Sequence, residues 1–517
     1  MGKDRAPLEV NQLATRSRWY RRAMRRATFV TVFVALAGCS GHHGANDSGG
    51  SGDAAGCTRD DQCPNAKCCS AVCVETADCA FAVTAISPAN GFINGGDYLT
   101  LTGAGFAPGM KVSIADGRAP TRVIGPTSAL VLTPPGPFGL QDVKIELAAT
   151  TATLHGAFKY QTAGLEMEWE QKPLMVVRGE DPGLAVMKDG RVLIAGGTTV
   201  PDSSADALAT AEIYDRGADS VAPAANSMSS TRWHDAAIAL LTGKVLVVGG
   251  TCTGCVGDDG QAADLFDPAT NTFTPTTHRL NRPRNYVRAV LMTDGRVFIS
   301  SANDPTIEIY DPDTDDFTLI GYTQAHVYGY VVRLRDGRVL IGGGDGGVVN
   351  AELFDFDTNT NSPTAGPMVQ GRSMLTAHTL PSSKVIVIAG ASSSAGNIVD
   401  PLASIELFDP TTNTFADAGY QLVTPRTWHA SALVRDGTVL VMGGYTVSGS
   451  CNSSVASVEQ IDPVAATVTP FPMLLNTNTE WTAVTLLDGS ILGVGGGACG
   501  TSMALPDIDF LKGAPIQ

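Results

Sequence analysis

Nowhere does the chain hold a run of about eighteen apolar residues, so no membrane-crossing helix is expected. It has no Gly-rich phosphate loop, no Gly-x-Ser-x-Gly elbow and no His-Glu-x-x-His helix, so the usual signatures of nucleotide, serine-hydrolase and zinc-protease chemistry are missing. Positive charge is scarce. Of 35 Lys and Arg against 51 Asp and Glu, eight basic and two acidic residues fall in positions 1–38; the remainder carries 27 against 49, a net of −22. A chain this acidic is repelled by phosphate backbones, and no nucleic-acid partner is expected. Aromatic residues amount to 6% and charged residues to 17%. The 57 glycines, 29 prolines and 44% hydrophobic residues describe a turn-rich β protein with ample core. At 517 residues, more than one domain is expected.

The N-terminus reads as a targeting segment. "RRAMRR" (21–26) is a basic region, and "ATFVTVFVALAG" (27–38) is an apolar run too short to span a bilayer. "LAGC" (36–39) resembles the lipobox of bacterial lipoproteins, in which the Cys is lipidated and becomes the mature N-terminus. The resemblance implies a signal peptide at 1–38 and a lipid on Cys39. Ser40 behind it looks like an outer-membrane sorting residue, so the expected location is the cell envelope, lipid-anchored. An ordinary secretory signal cleaved nearby is the alternative, and Met24 offers a second start. A Gly/Ser-rich tether follows at 39–56.

Cysteine usage agrees with export. Eleven are present; with Cys39 lipidated, ten remain, an even number as an oxidising compartment favours. Six of them, Cys57, Cys63, Cys68, Cys69, Cys73 and Cys79, crowd a segment (57–80) with almost no apolar core. A mini-domain of that size needs staples, and three disulfides of open connectivity are expected. Its spacing resembles small whey-acidic-protein-like or knottin-like modules. Cys252 with Cys255 is read as a local disulfide, and Cys451 with Cys499 as one joining adjacent repeats.

Residues 82–161 alternate as short strands between Gly and Pro turns. "ISP" (86–88), "GG" (95–96), "LTGAGF" (101–106), "TPP" (133–135) and Phe158-Lys159-Tyr160 resemble the IPT/TIG immunoglobulin-like domain, which implies a β-sandwich acting as a spacer.

From 163 to 517 one pattern is written seven times, starting at Asp189, Thr242, Asp294, Asp336, Ser382, Asp436 and Asp488. Each unit has an apolar run, a turn read as two residues (Asp-Gly in five copies), a "VLVVGG"-type strand, a variable loop, an "ELFDP"-type strand and a polar turn into a fourth strand. A period near fifty with four strands per unit predicts a seven-bladed β-propeller. Double glycine followed by the "E-φ-φ-D-P" strand resembles the kelch repeat. Copies three and five carry Ser301-Ala302 and Ala389-Gly390 instead and are expected to bend differently. The seventh unit lacks a fourth strand, so "LEMEWEQKP" (165–173) is expected to complete it. "DPDTDDF" (311–317) and "DFDTNTN" (355–361) resemble calcium loops but fall where other copies place a turn; they are read as turns.

Ten residues before the turn, copies two, three, five and six carry Arg232, Arg284, Arg372 and Arg426, and copy four His326. Trp233-His234, Tyr286 and Trp428-His429 follow closely. Near the channel mouth this set is a candidate site for an acidic or sugar ligand. The alternative for the arginines is a structural clamp on carbonyls or an acid. Seven kelch units also form the body of galactose-oxidase-like copper enzymes, which place a Tyr-His pair at such a strand. Here Trp replaces Tyr in both pairs and no Cys is obviously placed for the crosslink. The expectation is a binding protein for an envelope protein or a glycan, with no cofactor, metal or catalytic residue. A propeller oxidase and a structural adhesion component are the alternatives. Loops at 198–210, 251–262, 391–404 and 445–457 vary in length and are expected to set specificity.

Overall fold

The computed structural model describes residues 67–69, 72–74 and 81–514, apart from 180, 201–205, 251–259, 303, 323, 325, 346, 395–396, 447–453, 477–480 and 497–506. Cys39, the targeting segment and the tether lie outside the described residues, as do Cys57, Cys63, Cys79, Cys252, Cys255, Cys451 and Cys499. The remaining cysteines, Cys68, Cys69 and Cys73, sit on a two-stranded hairpin, Lys67–Cys69 with Val72–Val74, whose register sets Cys68 opposite Cys73.

The protein is all-β: an immunoglobulin-like sandwich followed by a seven-bladed propeller of the kelch type. The sandwich stacks a four-stranded sheet on a five-stranded one. Leu99, Leu101, Val112, Ile114, Val131, Val143, Ile145, Phe158 and Tyr160 fill the space between them.

Each blade's second strand reads as an unbroken apolar run, such as Val192–Ala195, Val245–Val248 or Val385–Ile388, and all four residues of each are buried. A strand in mid-blade has a neighbouring blade on either face, so both of its faces must be apolar. The alternation shows in the contacts. Leu193 and Ala195 pack toward blade two with Val245 and Val247. Val192 and Ile194 pack toward blade seven with Leu492 and Val494. The ring closes as its pattern demands: Leu165–Pro173 pairs antiparallel with Asp507–Gly513 and becomes the outer strand of blade seven. Trp169 is buried there and donates Nε1–H to the Pro472 carbonyl at 2.9 Å.

Two local expectations are corrected. The first hairpin of each blade has three residues rather than two. In blade one Gly190 N–H bonds the Met187 carbonyl, Met187 N–H bonds the Arg191 carbonyl, and only Gly190 (φ 87°) is left-handed. That is a type I turn closed by a bulge residue, for which Asp-Gly is equally suited. Asp189 accepts the Arg191 N–H at 3.1 Å. Blade five does not bend differently: Ala389 takes φ 53°, close to the 67° of Gly196 and the 65° of Gly249. Its neighbours hold the backbone there, with Ala389 N–H on the Ser404 carbonyl and its own carbonyl accepting from Arg372. Blade three, with Ser301-Ala302, does leave the left-handed path. The calcium-like stretches are turns, in which Asp311 and Asp355 accept their own downstream backbone N–H groups.

The sandwich is not a detached spacer. It docks on the hairpin side of the propeller. Thr121 N–H bonds the Thr293 carbonyl at 3.0 Å, and Arg118 and Lys111 reach Asp357. Leu130 joins the core formed by Leu240, Leu241 and Leu291 of blades two and three. The Arg435 guanidinium stacks 3.6 Å from the Phe92 ring and bonds Asp97 and the carbonyls of Leu486 and Leu487. Between the two domains remains a cavity of about 460 Å³, lined by Gly96, Tyr98 and Thr133 on one side and by Arg333 and His378 on the other.

Candidate binding site in the propeller channel

The four candidate arginines are structural clamps, not mouth residues. Arg426 is fully buried; Nη1 donates to the Gly443 and Ser457 carbonyls at 2.8 and 2.9 Å, and Nη2 to Glu459 at 2.7 Å. Arg372 does the same with the Ala389 and Ser404 carbonyls and Glu406. Arg232 bonds the Val247 and Ala262 carbonyls and Asp264. Arg284 bonds the Thr306 carbonyl and Glu308. The acid in turn accepts backbone N–H groups from the segment leading to its arginine, as Glu459 does from Val423 and Thr424. A planar fork suits this task because it meets two carbonyls and a carboxylate at once. Blade one has the same clamp in Arg178, on the Gly196 and Thr210 carbonyls, which the ten-residue spacing missed by one position. In blade four His326 takes the place, Nδ1 lying 2.6 Å from the Gly343 carbonyl.

Just beyond each clamp the chain enters the innermost strand through a left-handed residue. These are Asp181 (φ 37°), His234 (56°), Tyr286 (47°), Tyr328 (56°), Met374 (53°) and Trp428 (53°), one from each of six blades. None is glycine, and each costs on the order of 1 kcal/mol of backbone strain. Four of them are aromatic rings that meet. Tyr286 stacks on His234 at 3.8 Å between centroids, and His234 lies 4.0 Å from Trp233. Tyr328 stands edge-on to Tyr286 at 4.6 Å and to Trp428 at 5.5 Å. Tyr286 and Trp428 come within 6.3 Å although they belong to blades three and six. Non-adjacent blades touch only across the axis, so the rings span the channel mouth opposite the sandwich.

Beneath them lies a cavity of about 340 Å³ lined by Asp181, Asp235, Arg288, Tyr328, His378, Trp428 and His429. Asp235 is 8% exposed and neither carboxylate oxygen has a hydrogen-bond partner. Burial raises its pKa to about 7, with Arg232 and Arg178 pulling the other way. Burial also raises that of Asp181, partly offset by Arg288. Desolvation drives His234 and His429 down to about 3 and His378 to about 4, so all three imidazoles are neutral at physiological pH. His378 Nε2 pairs with Ser431 Oγ at 2.6 Å and His429 Nε2 with Thr376 Oγ1 at 2.9 Å, tying blade five to blade six. Arg288 Nη1 donates to the Val287 carbonyl at 3.3 Å.

The structure thus brings together Trp233, His234, Tyr286, Trp428 and His429, and sets Arg232, Arg284, Arg372, Arg426 and His326 apart as framework. Sequence reading missed Asp181, Asp235, Arg288, Tyr328 and His378. Tyr328 had a usable signal, standing two residues after His326 as Tyr286 stands two after Arg284. Among the described residues, no three His, Cys, Asp or Glu side chains are grouped to hold a metal ion.

Residues 82–160 match the IPT/TIG domain model. The chain is similar to beta-scruin of Limulus polyphemus, 25% identical over 243 residues, covering 44% of this chain and 26% of scruin. Alpha-scruin of the same animal is 24% identical over 197 residues, covering 34% and 21%. The chain spans about a quarter of the length of these relatives. Among solved structures, a fungal alcohol oxidase in complex with copper superposes with a TM-score of 0.56 at 18% identity, covering 68% of this chain and 76% of that one. That likeness is one of fold.

Proposed function

We propose that the chain is a glycan-binding module, held at a bacterial cell envelope by a lipid on Cys39, with the ring-lined channel mouth as its combining site. The observation that carries this reading is the five-ring cluster of Trp233, His234, Tyr286, Tyr328 and Trp428, the last four on strained backbone. Sugar rings present C–H faces that pack on aromatic faces, while their hydroxyls need a few placed polar groups. His378, Ser431, Thr376 and Arg288 offer those in the cavity below. Strain of this kind persists where the surroundings enforce it, and it concentrates at binding sites. The sandwich docks over the far mouth, and on this reading the ligand enters from the ring side. The module works by binding rather than turnover.

Calorimetric titration against a panel of envelope oligosaccharides tests this. At least one should bind, and Trp428→Ala or Tyr328→Ala should weaken it roughly tenfold, the loss of about one aromatic contact. A panel with no binder, or binding untouched by both variants, overturns the reading.

A further inference from the structure

The cavity between the two domains holds an uncompensated positive charge. Each blade ends its innermost strand there. Six of them end in Val186, Ala239, Leu291, Thr379, Leu433 and Thr485, and blade four ends in Arg333. No Asp or Glu is among the described residues that line this space. His378 is neutral there, burial pushes the Tyr98 phenol up to about 12, and Arg435 is spent on Asp97 and the Leu486 and Leu487 carbonyls. The clamp arginines Arg178, Arg232, Arg284, Arg372 and Arg426 each meet a carboxylate. Arg333 meets none among the described residues. Its Nη1 donates to the Leu291 carbonyl, while Nε and Nη2 make no hydrogen bond and are not shut away from the cavity. Burial pulls its pKa down to about 10 with no acid to offset the fall. A buried charge of this kind is costly, and a counter-ion beside it recovers that cost. A guanidinium engaged through Nη1 keeps its Nε–Nη2 edge, two parallel N–H donors spaced for the two oxygens of a carboxylate. The strand ends around it are mainly aliphatic, and about 460 Å³ gives room for an organic body rather than a bare ion. This cavity shares Ala289, Val331, Ala377 and His378 with the one beneath the rings, so the two are successive stretches of one channel.

We propose that the sandwich end of the channel is a binding site for a small organic acid, its carboxylate on the Nε–Nη2 edge of Arg333 and its body against the aliphatic strand ends, with Tyr98 of the sandwich on the other wall. The site is separate from the combining site at the rings and stands without the glycan reading. The carboxylate belongs to an aliphatic acid or to an acidic sugar, and the probes below separate the two.

The test is a ligand-observed NMR titration of the full chain at constant ionic strength with four probes: butyrate, its neutral analogue butyramide, glucuronate and inorganic phosphate. Butyrate or glucuronate should bind saturably and roughly tenfold or more tightly than butyramide and phosphate, as a charge-assisted pair with a carboxylate requires. The tighter of the two identifies an aliphatic or a sugar acid. Arg333→Met should bring that affinity down to the level of butyramide. Arg333→Lys keeps the charge without the fork; it should weaken binding by about threefold or more, and it keeps the test usable if the Met variant folds poorly. Failure of both carboxylates to bind, phosphate or butyramide binding as tightly as either, or carboxylate binding that Arg333→Met and Arg333→Lys leave unchanged overturns the site. None of these outcomes bears on the oligosaccharide titration at the rings, so the two readings fail separately.

Discussion

Asp235 shows what one residue's surroundings do to its chemistry. It follows a left-handed residue, packs against Gly183 and Gly196 of the neighbouring blade, and has no hydrogen-bond partner. Burial pushes its pKa up to about 7, well above the ordinary carboxylate range. A carboxyl whose pKa rises on folding stabilises the fold below the unfolded value and loses that contribution as pH climbs to the folded one. Between pH 4 and pH 7 the folded state holds a proton that the unfolded state has released, so this group makes stability fall with rising pH. Asp235→Asn has no such proton. Its melting temperature relative to the wild type should increase steadily from pH 4 to pH 7, measured by thermal unfolding at several pH values. A constant difference would mean that Asp235 is not desolvated as described.

At the scale of the element, strand and turn were largely legible because their causes are local. Buried runs such as "VLVV" and repeated Asp-Gly mark the second strand and its hairpin directly. The missing fourth strand of blade seven and the orphan strand at 165–173 are also visible without coordinates. Its buried ring, Trp169, bridges blades six and seven, so Trp169→Ala should cost about 3–5 kcal/mol in denaturant unfolding. A loss under about 1 kcal/mol would mean that this strand does not latch the ring. The site was less legible. The arginines recur visibly in sequence, but whether a recurring Arg faces the lumen or its own blade depends on two carbonyls and an acid some 15–35 residues away. Asp181 and Asp235 sit in no repeating pattern. They are brought together only because blades one and two are neighbours, and the ring cluster forms only because blades three and six face each other across the axis.

The whole molecule is a ring with a second domain docked on one side. Arg435 holds the contact: its guanidinium is buried, lies over Phe92, bonds Asp97, and reaches two carbonyls of the hairpin in blade seven. Burial raises the pKa of Asp97 even with that arginine beside it, which places the pair inside the interface. Removing one partner leaves a buried charge uncompensated, a cost of several kcal/mol. Calorimetry of the wild type should show sandwich and propeller unfolding together, and Arg435→Ala should split them into two transitions. A single unchanged transition in the variant would show that the domains are coupled elsewhere. The proposed way in is the ring cluster on the other mouth, and two of its members are tryptophans. The most direct measurement of the central claim is therefore a tryptophan fluorescence titration with the tightest-binding oligosaccharide, in the wild type and in the variant carrying Trp233→Phe and Trp428→Phe. Binding at the mouth predicts a saturable change in the wild type that matches the calorimetric affinity and shrinks markedly in the double variant, Trp481 of the same cavity supplying what remains. A sugar that binds by calorimetry yet leaves wild-type fluorescence unchanged, or alters it as strongly in the double variant, would place the combining site elsewhere and contradict the account.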